Sequence, residues 1–198
     1  MSEISTMLED TVNRLFGDLV TAEMLAAAEE GVWPAALWKA VEEAGLTLPL
    51  VSEKRGGVGC AWLDARVVLH GAGKHAAPIP LAETVLAGWL LDRAGIEPPT
   101  GPMTVAMGGP DAGLHLYRDA DGWRLDGMAP RVPWGGVAGH VVVAETVESA
   151  MRVALIARND YQAVPGGNMA KEPRDTLHFA ASPVTACDVA EGLGPDAV

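Results

Sequence analysis

The sequence predicts an α+β protein, with an all-α domain over residues 1–97 and a small antiparallel β-barrel or β-sandwich domain over 98–198. Three observations lead to this fold class. The first half is rich in alanine and repeats its apolar residues at helical spacing. The second half is rich in Gly, Pro and Val, and its short apolar runs are typical of strands. Between the halves, Pro98-Pro99-Thr100-Gly101-Pro102 interrupts any regular element, so we place the domain boundary there.

Apolar residues three and four positions apart predict the helices of the first half. Five helices are expected, over 6–19, after the N-cap Thr21, and over 34–45, 62–71 and 81–94. Pro34 suits a first helical turn, and Gly45 and Gly95 are stop signals. In the third helix the spacing of Leu37, Trp38 and Val41 predicts a buried stripe.

Short alternating or continuously apolar runs predict the strands of the second half. They cover residues 104–107, 114–117, 123–125, 141–144 and 151–157. Asp119-Ala120-Asp121-Gly122 predicts a hairpin turn between two of these runs. Further turns are expected at Asp126-Gly127, Gly135-Gly136 and Pro165-Gly166-Gly167.

Composition excludes several classes of protein. With 49% apolar and 20% charged residues the chain is not a disordered polyelectrolyte. Its net charge of −12 argues against binding to nucleic acid or to an anionic membrane surface. No apolar run reaches the roughly 20 residues of a membrane span, and the N-terminus lacks a signal-peptide pattern. We therefore expect a cytoplasmic protein with reduced Cys60 and Cys187, a disulfide being the alternative.

Longer stretches carry a resemblance to a known family. In the first half they are 37–46, 51–59, 67–73 and 80–84, and in the second half 121–127, 131–134, 139–143 and 168–175. This succession resembles the N-terminal helical domain and the middle β-domain of the acyl-CoA dehydrogenases. The resemblance implies FAD-dependent α,β-dehydrogenation of an acyl-CoA thioester. The family's base and its FAD-gripping Arg segment belong to a third domain with no counterpart here, so no catalytic residue is expected.

The resemblance also implies that one side of FAD lies against the β-domain. It assigns cofactor contacts to seven residues, Met107, Gly108, Gly109, Arg131, Val132, Pro133 and Trp134. The family's flavin loop reads Thr-Glu-Pro-x-x-Gly-Ser-Asp, whereas this chain has Gly108 and Leu114 at the two hydroxyl positions. A weakened flavin loop and an ordinary turn both remain open. Trp134 either stacks on the flavin or belongs to the core.

For the acyl chain, the resemblance implies contacts from Ile79, Leu81, Glu83 and Leu86, although a plain helix–helix contact explains these residues equally well. No metal site is expected, because the five histidines lack ligand spacing. The expected partners are an acyl-CoA substrate and a homo- or hetero-oligomer with an acyl-CoA dehydrogenase-like subunit. The alternative functions are a non-catalytic partner or assembly subunit and a fragment of a dehydrogenase.

Overall fold

The computed structural model describes residues 3–109, 113–147, 150–190 and 192–193. The chain divides into two compact units, one running up to Val85 and the other from Leu86 onwards. This division falls inside the last helix. The strands begin only beyond the Pro/Gly-rich run at 98–102, where the sequence places its boundary.

The first half is helical, as predicted. Its α-helices are α1 (Glu3–Leu19), α2 (Ala22–Glu29), α3 (Ala35–Glu43), α4 (Trp62–Lys74) and α5 (Leu81–Arg93). The Met24 N–H donates to Thr21 Oγ1 over 3.2 Å, which confirms the predicted N-cap of α2. Pro34 lies at the N-cap of α3 instead of in its first turn, and Gly45 takes a φ of +68° just beyond the end of that helix. The predicted stripe of α3 is buried.

Close packing of α1 on α4 organises the first unit. Val12 and Phe16 of α1 are buried where the two helices meet. At Gly71 of α4, an added Cβ would lie only 1.9 Å from Val12 Cγ1. The contact therefore depends on the absence of a side chain at this one position of α4.

The second half forms two four-stranded sheets. Its strands are β1 (Met103–Gly108), β2 (Leu114–Arg118), β3 (Trp123–Pro133), β4 (His140–Val147), β5 (Ala150–Ala157), β6 (Gln162–Val164), β7 (Arg174–Pro183) and β8 (Ala186–Ala190). The strand orders are β1-β4-β5-β8 and β2-β3-β7-β6. One apolar core, drawn from both sheets and including Ala106, Leu125, Val143, Ile156 and Leu177, lies between them. The architecture is therefore a sandwich, and no closed barrel is formed by the described strands.

The topology departs from the antiparallel expectation in one pair. β1 and β4 are parallel, with Met103 opposite His140 and Gly108 opposite Glu145, while the other pairings among the described strands are antiparallel. Parallel neighbours require a long crossover connection. Here β2 and β3 provide it, because the chain passes through the second sheet before it returns to the first.

The predicted turn at Asp126-Gly127 is wrong, because both residues lie within β3. The pairing of β3 with β7 shifts register between Leu125 and Gly127, and Gly127 has a φ of +115°. An added Cβ at Gly127 would approach Gly113 O to 2.1 Å. A glycine at a strand bulge and a glycine in a turn need the same backbone freedom, so the sequence alone does not distinguish the two.

We expect Gly71→Ala to destabilise the chain by about 1–3 kcal/mol, because the new methyl group would overlap Val12. Gly73→Ala is the matched control on the same helix, since nothing lies within 4 Å of its Cβ position. It should stabilise the chain by up to about 1 kcal/mol through helix propensity. Chemical denaturation measures both. Equal changes in stability from the two substitutions would contradict the close packing of α1 on α4. Adding Val12→Ala to Gly71→Ala should restore part of the lost stability.

Candidate functional site

The predicted ring-flanking segment lies at the end of β3, next to a β-bulge. Ala129 pairs with Leu177 and Val132 pairs with Asp175, so two residues of β3 face one residue of β7. Arg131 occupies this bulge with a φ of +56° and an exposed side chain. A left-handed conformation is costly for a residue other than glycine, and bulges of this kind often re-aim side chains at functional sites.

The neighbours of Arg131 in this segment are buried. Val132 is 4% exposed and belongs to the core between the sheets. The Trp134 side chain is buried, with the residue 7% exposed, and its backbone N–H donates to Pro173 O over 3.3 Å. This burial favours the core interpretation of Trp134. The carbonyl of Pro133 accepts the hydroxyl of Thr104 over 2.6 Å. The segment thus presents mainly the side chain of Arg131.

Buried polar groups fix the turn that follows Trp134. Asp175 is 4% exposed and accepts the Gly136 N–H over 2.7 Å and the Gly166 N–H over 3.1 Å. Tyr161 donates its hydroxyl to Gly135 O over 2.8 Å. Burial raises the pKa of Tyr161 to about 12, although the neighbouring Arg158 opposes the shift. These contacts anchor the turn at Gly135 and Gly136.

The other predicted cofactor residues lie at the end of β1. Met107 is 57% exposed, Gly108 is half-buried, and Gly109 is buried with a φ of +118°. Gly108 pairs with Glu145 and Gly109 with Leu114. The tip of the loop, residues 110–112, lies outside the described residues. The backbone amides of this segment remain the groups that a ligand could use.

The interior is tightly packed at the two positions where the family's flavin loop carries hydroxyl groups. An added Cβ at Gly108 would lie 3.0 Å from Val143 Cγ1 and 3.2 Å from Glu145 Cβ. Leu114 is 1% exposed and packs in the core between the sheets. A side chain at position 108 would require its neighbours to shift by a few tenths of an ångström, and position 114 is occupied by a leucine of the core. The residues present do not fit a tightly held FAD.

An ion pair occupies the interior beside Gly108. Arg152 Nη1 lies 3.3 Å from Glu145 Oε2, and its guanidinium lies 4.7 Å from the centroid of the Trp123 ring. Burial raises the pKa of the nearby Cys187 to about 11. Sequence reasoning missed this group. The available signal was the spacing of Glu145 from Val141 and Val143, which puts all three on one face of β4.

The two predicted halves of the cofactor site are not brought into one cluster. Thr104, which contacts Pro133, stands three residues before Met107 on β1. At about 3.3 Å per residue, Met107 lies roughly 10 Å further along the strand. Only an elongated ligand, such as a dinucleotide, would contact both segments.

The predicted acyl-chain residues differ in exposure. Ile79 and Leu81 are buried, whereas Glu83 is half-buried and Leu86 is 37% exposed. Glu83 and Leu86 are three residues apart on α5 and so share a face of that helix. Only these two present side-chain surface that a ligand could contact.

Comparisons with known proteins support the resemblance. Residues 2–98 match the family model described as the acyl-CoA dehydrogenase N-terminal domain. The helical half of the chain thus matches the acyl-CoA dehydrogenase family. The chain is 29% identical over 138 residues to acyl-CoA dehydrogenase FadE27 of Mycobacterium tuberculosis strain ATCC 25618 / H37Rv. That alignment covers 63% of this chain and 37% of the relative.

Solved structures extend the likeness in fold to the β half of the chain. The Tcur3481–Tcur3483 steroid ACAD matches with a TM-score of 0.78 and 25% identity, over 98% of this chain and 57% of its own. The ChsE4–ChsE5 complex from Mycobacterium tuberculosis matches with a TM-score of 0.81 and 22% identity, over 100% and 58%. The chain thus spans less than two thirds of the length of these relatives.

No described helix is long and apolar enough to cross a membrane. Within the described ranges, no group of three or more His, Cys, Asp or Glu side chains is arranged to hold a metal ion.

We expect Arg131→Gly to stabilise the chain by about 1 kcal/mol, because glycine adopts a positive φ without steric cost. Arg118→Gly is the control, since Arg118 is exposed on β2 and has no positive φ. It should destabilise the chain by about 0.5–1 kcal/mol. Urea denaturation compares the two variants. A loss of stability in Arg131→Gly would refute the strain assigned to the bulge.

Alkaline pH should unfold the chain partly through Tyr161. Its folded pKa of about 12 exceeds the unfolded value near 10, so the unfolded state releases the proton first. The stabilisation is complete below pH 10 and is lost as pH rises from 10 to 12. Tyr161→Phe should be less stable than the parent at pH 8, and the difference should shrink across that window. A constant difference, measured by denaturation at each pH, would be inconsistent with this titration.

Proposed function

We propose that this chain is the scaffold subunit of an acyl-CoA dehydrogenase-type assembly. It supplies a helical domain and a middle β-domain, and it pairs with a subunit of the same family that holds FAD and acyl-CoA. The observation that supports this proposal most directly is the tight packing at Gly108 and Leu114, the two positions where the family's flavin loop has hydroxyl groups. The assembly acts on an acyl-CoA thioester in the cytoplasm.

Exposed apolar side chains support pairing with another subunit. In the second unit Met107 and Met128 are 57% and 45% exposed, and in the first unit Leu63 is 71% exposed. Burying such side chains against a partner would be favourable. Two of the similar structures, the ChsE4–ChsE5 complex and the Tcur3481–Tcur3483 steroid ACAD, are each named for a pair of proteins. A hetero-oligomer of related subunits is the arrangement that we propose here.

A second candidate function is that the chain binds FAD itself and forms one wall of the flavin site. The observation that favours it is the strained and exposed Arg131, at the position where the resemblance places a ring-flanking residue. A cation there would favour a reduced, anionic flavin. The two candidates predict different FAD affinities for the chain alone.

We expect the purified chain to bind FAD with a Kd above about 0.1 mM, because the flavin loop lacks its hydroxyl donors and its interior is filled. Flavin fluorescence titration measures this affinity. The assembly isolated from the native host should contain flavin together with a second family subunit. Tight binding by the chain alone would overturn the scaffold proposal. Loss of that tight binding in Arg131→Gln, with Arg118→Gln as the matched control, would then support the second candidate.

A further inference from the structure

A groove in the first unit lies apart from every residue of the candidate flavin and acyl-chain sites. It runs between α1 and α4 and has a volume of about 170 Å³. Val12, Val67 and Gly71 form part of its lining at the close contact between the two helices. The same glycine that lets α1 approach α4 therefore also lines the groove.

Basic side chains line the α4 side of this groove. Arg66, His70 and Lys74 follow one another at intervals of four residues, so they share one face of the helix, and all three are exposed. In the part of the chain that the structure describes, no carboxylate forms an ion pair with Arg66 or Lys74. Three basic groups are thus gathered on a protein whose net charge is −12.

The α1 side holds one of these groups in position. Lys74 Nζ donates to Asn13 Oδ1 over 3.1 Å, which fixes the ammonium over the groove. Glu9 is the one carboxylate among the lining residues. With Arg66 and Lys74 positive and Glu9 negative, the lining carries a net charge of +1 before His70 is counted. A bound anion would therefore meet an excess of donors, and one of them is preorganised.

The size of the groove restricts the ligand. Small-molecule sites usually have volumes of about 300–1,000 Å³, so a whole nucleotide or an acyl chain would not fit inside. A single tetrahedral oxyanion is much smaller than this volume and would share the groove with bound water.

We propose that this groove binds a phosphate group, held by Arg66 and Lys74 with His70 as a further donor. The phosphate is either free inorganic phosphate or the terminal group of a nucleotide whose remainder stays outside. Its site lies wholly within the helical unit and does not depend on whether the chain binds FAD or acyl-CoA.

Calorimetric titration of the full chain with inorganic phosphate at low ionic strength tests the proposal. The double variant Arg66→Gln/Lys74→Gln should bind phosphate about tenfold or more weakly, because both charge-assisted contacts are lost. The control Lys39→Gln/Lys54→Gln removes the same net charge from exposed residues outside the groove and should retain the parent affinity. Thermal unfolding of each variant verifies that it is folded.

A second titration with adenosine 3′,5′-bisphosphate identifies the source of the phosphate. Tighter binding than inorganic phosphate, lost in the groove variant, supports a nucleotide-borne phosphate; equal affinity supports the free anion. The proposal is overturned when the parent shows no saturable binding of either probe by about 10 mM. It is also overturned when the groove variant and the control variant weaken binding equally, because the effect would then come from overall charge.

Discussion

The apolar layer between the two sheets is the constraint on which the second unit depends. Each sheet contributes one face, and the shared core includes Leu114, Val132 and Val143. Because interiors pack as densely as organic crystals, any side chain that enters this layer fixes the position of its neighbours. The filled space beside Gly108 and the burial of Leu114 are both consequences of this packing. The candidate cofactor loop is thus shaped by the core behind it.

The backbone of β3 is irregular where its residues pack into this apolar layer. β3 pairs with β2 on one side and with β7 on the other, and its register with β7 shifts twice. At the second shift Arg131 takes a positive φ and its side chain stays exposed, while Val132 returns to the core. The bulge therefore separates a residue available to a ligand from one required for packing.

Two buried carboxylates of the second unit have specific partners, which adds rigidity around the candidate segment. Asp175 accepts two backbone N–H groups, and Glu145 pairs with Arg152. A buried carboxylate without such partners would be strongly unfavourable. These contacts hold the turn after Trp134 and the end of β1, so both candidate segments rest on a fixed framework.

The sequence by itself determined the helices, the fold class, most strands and the resemblance to acyl-CoA dehydrogenases, because these follow from local periodicity and from characteristic stretches of residues. It failed at Gly127, where a bulge was taken for a turn, and it did not predict β6, β7 and β8. Strands with few consecutive apolar residues are recognisable mainly by their partners across the sheet. The parallel pairing of β1 with β4, the ion pair beside Gly108 and the basic groove between α1 and α4 were decided only by tertiary structure. Each of these features joins residues that are distant in sequence, and local spacing carries no information about which distant side chains will share a space.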